Sequence, residues 1–411
     1  MGTPTPSLPS AAYLRWTLLT TAAVLAAVAL FNVFVDPTGV FNSPRIEGLN
    51  AIKPHLDHHH ELVRWKAAQR LCASTDLRAG IFGNSRAEVG FDPLNRPLVE
   101  HGLNTYNHAI PGAGTASAYR QLKWLEEAGC LPRTVFLGVE FFDFLGDHSK
   151  SQGMAALDAT KAPAIDGPFL AETVFSITGL HDSLETLSIQ NARYPAVLTD
   201  RGFNPMSNYI PEAAQSGYHA LFRHKAQQYV QSWGGRAHLI RPASGGISDD
   251  EQAVDAFIAR ASAADGKVYV VIYPYHGEVR FILERLGLGG LFADWKRLIV
   301  KLAAQQAQQG RNVEVWDFSG LSPQTLEAIP AASDRKAQLK WFWEPGHFKS
   351  ALGELAFERM LGAPNGFGVR LDSSNVDAWV AQDRRQVQEM MSQPSPLLAE
   401  VDALLPGRQG K

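Results

Sequence analysis

Apolar and polar positions along the 411 residues change period several times, and each change predicts a different kind of element. From Trp16 to Val35 the chain reads WTLLTTAAVLAAVALFNVFV, with no charged residue. At a rise of ~1.5 Å per residue this run matches the ~30 Å hydrocarbon thickness of a bilayer. It predicts a membrane-spanning helix, opened by Arg15 and closed by Asp36-Pro37. A cleaved signal peptide is the alternative, with AVA around Val28 as a small-residue cleavage site. Its apolar core is usually ~7–15 residues, so the longer run favours an uncleaved signal-anchor.

Beyond Asp36 the apolar runs shorten and alternate in type. PTGVFNSPRIEGLN reads as a Pro/Gly linker, and Pro54 to about Cys72 as a helix. Near-continuous apolar stretches then predict strands at LRAGIFG, LNTYNHAI, RTVFLGVEFF, GKVYVVIYPY and NVEVWDFS. Helical periodicity separates several of them, as in TASAYRQLKWLEEAG and DWKRLIVKLAAQQAQQG, each closed by glycine. Strands alternating with helices predict an α/β fold around a largely parallel sheet. Between the third and fourth strands, about Leu145 to Gly266, lies an insertion too long for a bare loop. Its two amphipathic stretches predict a helical cap beside the active face. The expected division is a cytoplasmic N-terminus (1–15), an anchor (16–35), and a linker with a membrane-proximal helix (36–74). An α/β domain (75–362) follows, then a tail (363–411) with one helix at NVDAWVAQDRRQVQEMM.

Composition narrows the function classes. Lys and Arg number 38 against 41 Asp and Glu, a net charge of −3, and no basic run offers a footprint for phosphates. Nucleic acid is therefore not an expected partner. The two cysteines, Cys72 and Cys130, fit an oxidising compartment without establishing one. HLDHHHELVRW suggests metal ligands, but adjacent residues on a helix point in different directions. A solvated helix is the expectation there, with neither metal nor cofactor.

In open α/β sheets, ligands bind beyond the carboxyl ends of the strands. The residues delivered there are Asn84, Ser85 and Arg86, then Asn107 and Gly112, then Glu140 and Asp143, then Tyr275 and His276. After the fifth strand comes KWFWEPGHFKS, in which Glu344 and His347 stand three apart around Pro345-Gly346. That spacing puts carboxylate and imidazole on one side of a turn, the base and orienter of a hydrolytic triad. Ser85 is the candidate nucleophile. Alone, Gly-Asn-Ser before a helix reads more readily as an N-cap. Arg86, Asn107 and His276 are candidate substrate-binding residues. Arg86 is also suited to pairing with Glu88 or Asp92, and His276 to packing or capping.

GNSR, NHAIPGAGT and EPGH together resemble the sequence blocks of the SGNH (GDSL-like) hydrolase superfamily. The resemblance is to its membrane-anchored branch, which includes polysaccharide O-acetylation proteins and the teichoic-acid D-alanyl transfer protein. It spans roughly residues 75 to 362 without the insertion. It implies a flavodoxin-like three-layer sandwich whose five parallel strands run in the order 2-1-3-4-5. It implies Ser85 as nucleophile, His347 as base, Glu344 in the usual Asp position, and Ser85 and Gly112 as oxyanion donors. The third block departs: GVEFFDF puts Phe142 near the position of an oxyanion-binding Asn. In the implied order Cys72 and Cys130 precede neighbouring strands, so a disulfide or two buried thiols are both open. The implied activity is acyl-ester chemistry through an acyl-Ser85 intermediate. Transfer to a cell-envelope polysaccharide is favoured over a carbohydrate or lipid esterase, or a non-catalytic scaffold subunit. A multi-spanning membrane acyltransferase is the implied partner, and a periplasmic domain on the inner membrane the implied location.

Overall fold

The computed structural model describes residues 10–74, 77–146, 153–235, 237–243 and 245–405. The expected cytoplasmic N-terminus lies mostly outside them. The chain divides into two compact units, one formed up to Val63 with Pro163–Val197, the other by Arg64–Ala162 with the chain from Leu198 onward. The stretch expected as one insertion therefore contributes to both.

In the first unit the helix Ser10–Val35 carries the apolar run, and Ala11–Val35 is long and apolar enough to cross a membrane. A membrane anchor and a signal sequence both meet that description. The last turn of any helix leaves carbonyls without intrahelical donors, where a positive charge is favoured. Lys53 Nζ donates to the carbonyls of Val35 and Asp36 at 2.9 and 2.7 Å, and Asn50 Nδ2 donates to that of Phe34 at 3.1 Å. Asn32 is buried and joins this end to the helix Ile177–Ile189. It donates to Val174 O at 3.0 Å and accepts from Ser183 Oγ at 2.8 Å.

The second unit holds the sheet. Strands β1 (Ala79–Phe82), β2 (Thr105–Asn107), β3 (Thr134–Val139), β4 (Lys267–Ile272) and β5 (Asn312–Asp317) are parallel. A two-stranded ribbon follows, β6 (Phe342–Glu344) and β7 (His347–Phe348), and then β8 (Val369–Leu371). The large sheet runs β2-β1-β3-β4-β5-β8, with β8 antiparallel to β5. The five expected strands are present in the expected order, and the tail adds a sixth. The tail also carries two helices rather than one, Val376–Ser392 and Pro396–Leu404.

Successive strand residues face opposite sides, and helices cover both. Ile81, Phe136, Tyr269 and Val271 join a core with Ala87, Phe222, Leu352 and Phe357, while Phe82 meets Phe257 of the helix Asp249–Ala261. This double coverage explains the near-continuous apolar strands. The helix expected from Pro54 begins only at His60 and ends at Ser74. Cys72 and Cys130 form a disulfide with Cα atoms 5.9 Å apart, ahead of β1 and β3.

The tail is anchored by buried charge. Lys296 is fully buried and its ammonium lies 2.7 Å from Asp317 Oδ2 and 2.8 Å from Asp383 Oδ2. Arg280 grips Asp383 through two bonds, at 3.1 and 3.0 Å, and Trp379 Nε1 donates to Asp317 Oδ2 at 2.7 Å. Burial alone would raise the Asp383 carboxyl, but Arg280 and Lys296 hold it well below the usual carboxylate range. Removing one member of such a cluster leaves uncompensated charge in the core. Lys296→Met should cost about 3–5 kcal/mol in urea unfolding. A loss below about 1 kcal/mol, the level of a surface ion pair, would show that the cluster does not anchor the tail.

Candidate active site

β1 ends at Phe82, and Gly83-Asn84 turn the chain into the short helix Ser85–Gly90. Asn84 is its N-cap, with Oδ1 accepting from Arg86 N–H at 3.1 Å. Ser85 is therefore the first helical residue rather than the cap, and its own N–H has no intrahelical acceptor. Close packing fixes the helix. A Cβ at Gly90 would lie 2.1 Å from the Phe348 ring, and one at Gly353 would lie 1.9 Å from the Gly90 carbonyl oxygen.

Phe348 belongs to β7, whose preceding residue is His347. In the β6–β7 ribbon Glu344 and His347 are directly paired across the Pro345-Gly346 turn. Ser85 Oγ lies 2.8 Å from His347 Nε2, and His347 Nδ1 is hydrogen-bonded to Glu344 Oε1. Glu344 is buried, while Ser85 and His347 are half-buried and reachable. Burial alone would raise the Glu344 carboxyl, but its interaction and hydrogen bond with His347, with Lys225 and Arg86, hold it below its ordinary value. An ionised carboxylate only accepts, so the imidazole proton sits on Nδ1 and Nε2 is free to accept from the serine hydroxyl. That is the tautomer a general base needs.

Gly112 follows β2 with φ +69°, in the left-handed region that favours glycine. Ile110 N–H donates to Gly83 O at 3.0 Å, tying this turn to the Ser85 turn. At the third block, Phe142 lies in a 3₁₀ turn, Phe141–Phe144. Its ring stacks on Trp233 at 3.5 Å between centroids, and Trp233 stacks on Tyr229 at 4.3 Å. An aromatic shelf thus occupies the position where the resemblance implies an amide.

Arg86 pairs with neither Glu88 nor Asp92. Its guanidinium bonds Glu140 at the end of β3 and donates to Tyr229 Oη at 3.2 Å, and Asn84 Nδ2 also donates to Glu140. Burial would lower the Arg86 pKa, but Glu140 and then Tyr229 and Tyr275 raise it, so the charge is fixed. Glu88 is instead held by the buried Arg64, and Asp92 Oδ1 accepts from Leu94 N–H at 2.9 Å. The sequence offered no sign of the Arg86–Glu140 pair, whose partners are 54 residues apart.

Asn107 and His276 are not placed to bind substrate. Asn107 is fully buried, donating to the carbonyls of Ala87 and Phe91 and accepting from Ala109 N–H. It locks β2 to the helix behind Ser85. His276 is buried as the N-cap of the helix Gly277–Arg285: Nδ1 accepts from Glu278 N–H at 3.2 Å, and Nε2 lies 2.8 Å from Glu327 O. Comparison of the chain with protein-family models, curated proteins and solved structures finds no match to any of them.

Burial pushes the His276 imidazole down to about 4 from an ordinary 6.5, against the Glu327 carbonyl bond and with the help of Arg223. Between those values the unfolded chain binds the proton and the folded chain refuses it, so stability falls as pH drops through the window. Wild type should lose on the order of 2–3 kcal/mol more than His276→Asn between neutral pH and about pH 4.5. Parallel urea titrations of the two proteins measure this, and equal losses would contradict it.

Proposed function

We propose that this chain performs serine-dependent acyl-ester chemistry of the SGNH type, held at a membrane by its apolar helix. The observation that carries the reading is the hydrogen-bonded line Ser85–His347–Glu344 at the carboxyl ends of a parallel sheet. His347 takes the Ser85 proton as Oγ attacks an ester or thioester carbonyl. The carbonyl π electrons move to oxygen, and the resulting oxyanion faces the N–H groups of Ser85 and Gly112. Collapse expels the alkoxide or thiolate, which His347 protonates, leaving acyl-Ser85. A second hydroxyl, activated by the same imidazole, then removes the acyl group. With a sugar hydroxyl as acceptor the protein is an O-acyltransferase acting on an envelope polysaccharide. With water it is a carbohydrate or lipid esterase.

The apolar helix favours transfer, because an anchored site stays beside a membrane-bound acyl donor such as a multi-spanning acyltransferase. It also favours a periplasmic site on the inner membrane. Phe142 favours a second reading, a non-catalytic scaffold subunit, since loss of one oxyanion donor costs ~10²–10³ in rate. A fluorophosphonate probe separates the two. Detergent-solubilised full chain should label, and Ser85→Ala should not, with esterase activity on an aryl acetate falling at least ~10³-fold. An unlabelled native protein of normal stability would support the scaffold. An acyl-Ser85 species that only water discharges, with polysaccharide acceptors present, would leave the esterase.

A further inference from the structure

The histidine run before the helix His60–Ser74 is not accounted for by the serine chemistry. It was set aside as a chelate because neighbouring helical residues diverge, but His58 and His59 precede the helix. His59 has φ +55°, so the chain turns sharply there. Within the same unit, His58 meets the helix Ile177–Ile189. His58 Nε2 lies 3.0 Å from Asp182 Oδ2, yet this nitrogen is buried and its geometry makes no hydrogen bond. A short approach without donor alignment is the arrangement of two ligands facing a common cation.

The rest of the donor set comes from one helix. His181 and Glu185 are four apart and share a face, with Asp182 beside them. Ligand atoms of His181, Asp182 and Glu185 all lie within 4.8 Å of one another. Asp182 is itself 5% exposed, and its described ion pairs are both to imidazoles, His58 at 3.0 Å and His181 at 3.7 Å. A buried carboxylate requires compensating charge. A divalent cation held between these groups supplies that charge.

We infer that His58, His181, Asp182 and Glu185 form a site for a divalent transition cation of the zinc class. Two imidazoles and two carboxylates suit zinc in number and softness, and rule out preference for a hard cation that takes only oxygen. The ion binds as a staple between the segment preceding the helix at His60 and the helix at Ile177, with no covalent or redox step.

The test uses detergent-solubilised full chain, stripped with a chelator and titrated with zinc chloride. Calorimetry and elemental analysis should give a single zinc per chain, and bound zinc should raise the thermal midpoint. His181 has a side chain 76% exposed, so His181→Ala leaves the core intact. That variant and Glu185→Gln should each weaken zinc binding about ten-fold or more, and His58→Ala should do the same. The exposed His224, on the helix Tyr218–Trp233, serves as control, and His224→Ala should bind as wild type does. No retained zinc, or zinc binding equal in wild type and all three site variants, overturns the site and leaves an ordinary histidine–carboxylate pair.

Discussion

The contact between Ser85 and His347, residues 262 apart in sequence, depends on how closely one short helix can approach a two-stranded ribbon. Gly90 lets the Phe348 ring reach the helix backbone, and Gly353 lets the next helix reach the Gly90 carbonyl. A side chain at either position would push the elements apart by more than a hydrogen bond tolerates. The serine helix has only six residues, too few to hold itself by propensity. Tertiary packing therefore sets the position of Ser85, with Asn107 gripping the carbonyls of Ala87 and Phe91 from the other side.

Behind the Ser85 turn lies a layer of fixed charge. Glu140 accepts from both Asn84 and Arg86, the residues flanking Ser85. Arg86 is confined further by the rings of Phe142 and Tyr275, 5.9 and 5.5 Å from its guanidinium carbon. Gly346 takes part too, since a Cβ there would lie 1.8 Å from the Tyr229 hydroxyl oxygen. The same few side chains thus steady the turn that carries Ser85 and the turn that separates Glu344 from His347. Burial, Glu140 and Asp250 push the nearby Asp143 carboxyl well up.

The parallel strands were legible because each is covered on both faces and reads as an unbroken apolar run. Ser85 and Gly112 were legible as residues at strand exits, and the Glu344/His347 pair by its spacing around Pro345-Gly346. Strand β8 was not legible: Val369–Leu371 is three residues long, follows a Pro/Gly-rich stretch, and gains its register only by pairing with β5. Asn107 and His276 read as candidate binding residues because they lie at strand exits, and packing or capping was the other reading of His276. Their burial comes from backbone groups of distant segments that satisfy them. Nor could periodicity divide the long insertion, since both parts carry similar amphipathic helices and only tertiary contact assigns Pro163–Val197 to the first unit.

The disulfide between Cys72 and Cys130 spans 58 residues of chain, and that span contains β1, Ser85, Arg86, Asn107 and Gly112. Ser85 and its neighbouring turn thus lie inside a covalent ring, while His347 and Glu344 lie outside it. Chain-entropy arguments give a ring of this size about 4 kcal/mol, drawn from the unfolded state rather than from any contact around the serine. Reducing conditions would open the ring without touching Ser85, His347 or Glu344. The half of the candidate site that carries Ser85 therefore has its folding tied to the redox state of its surroundings, and the half that carries His347 does not.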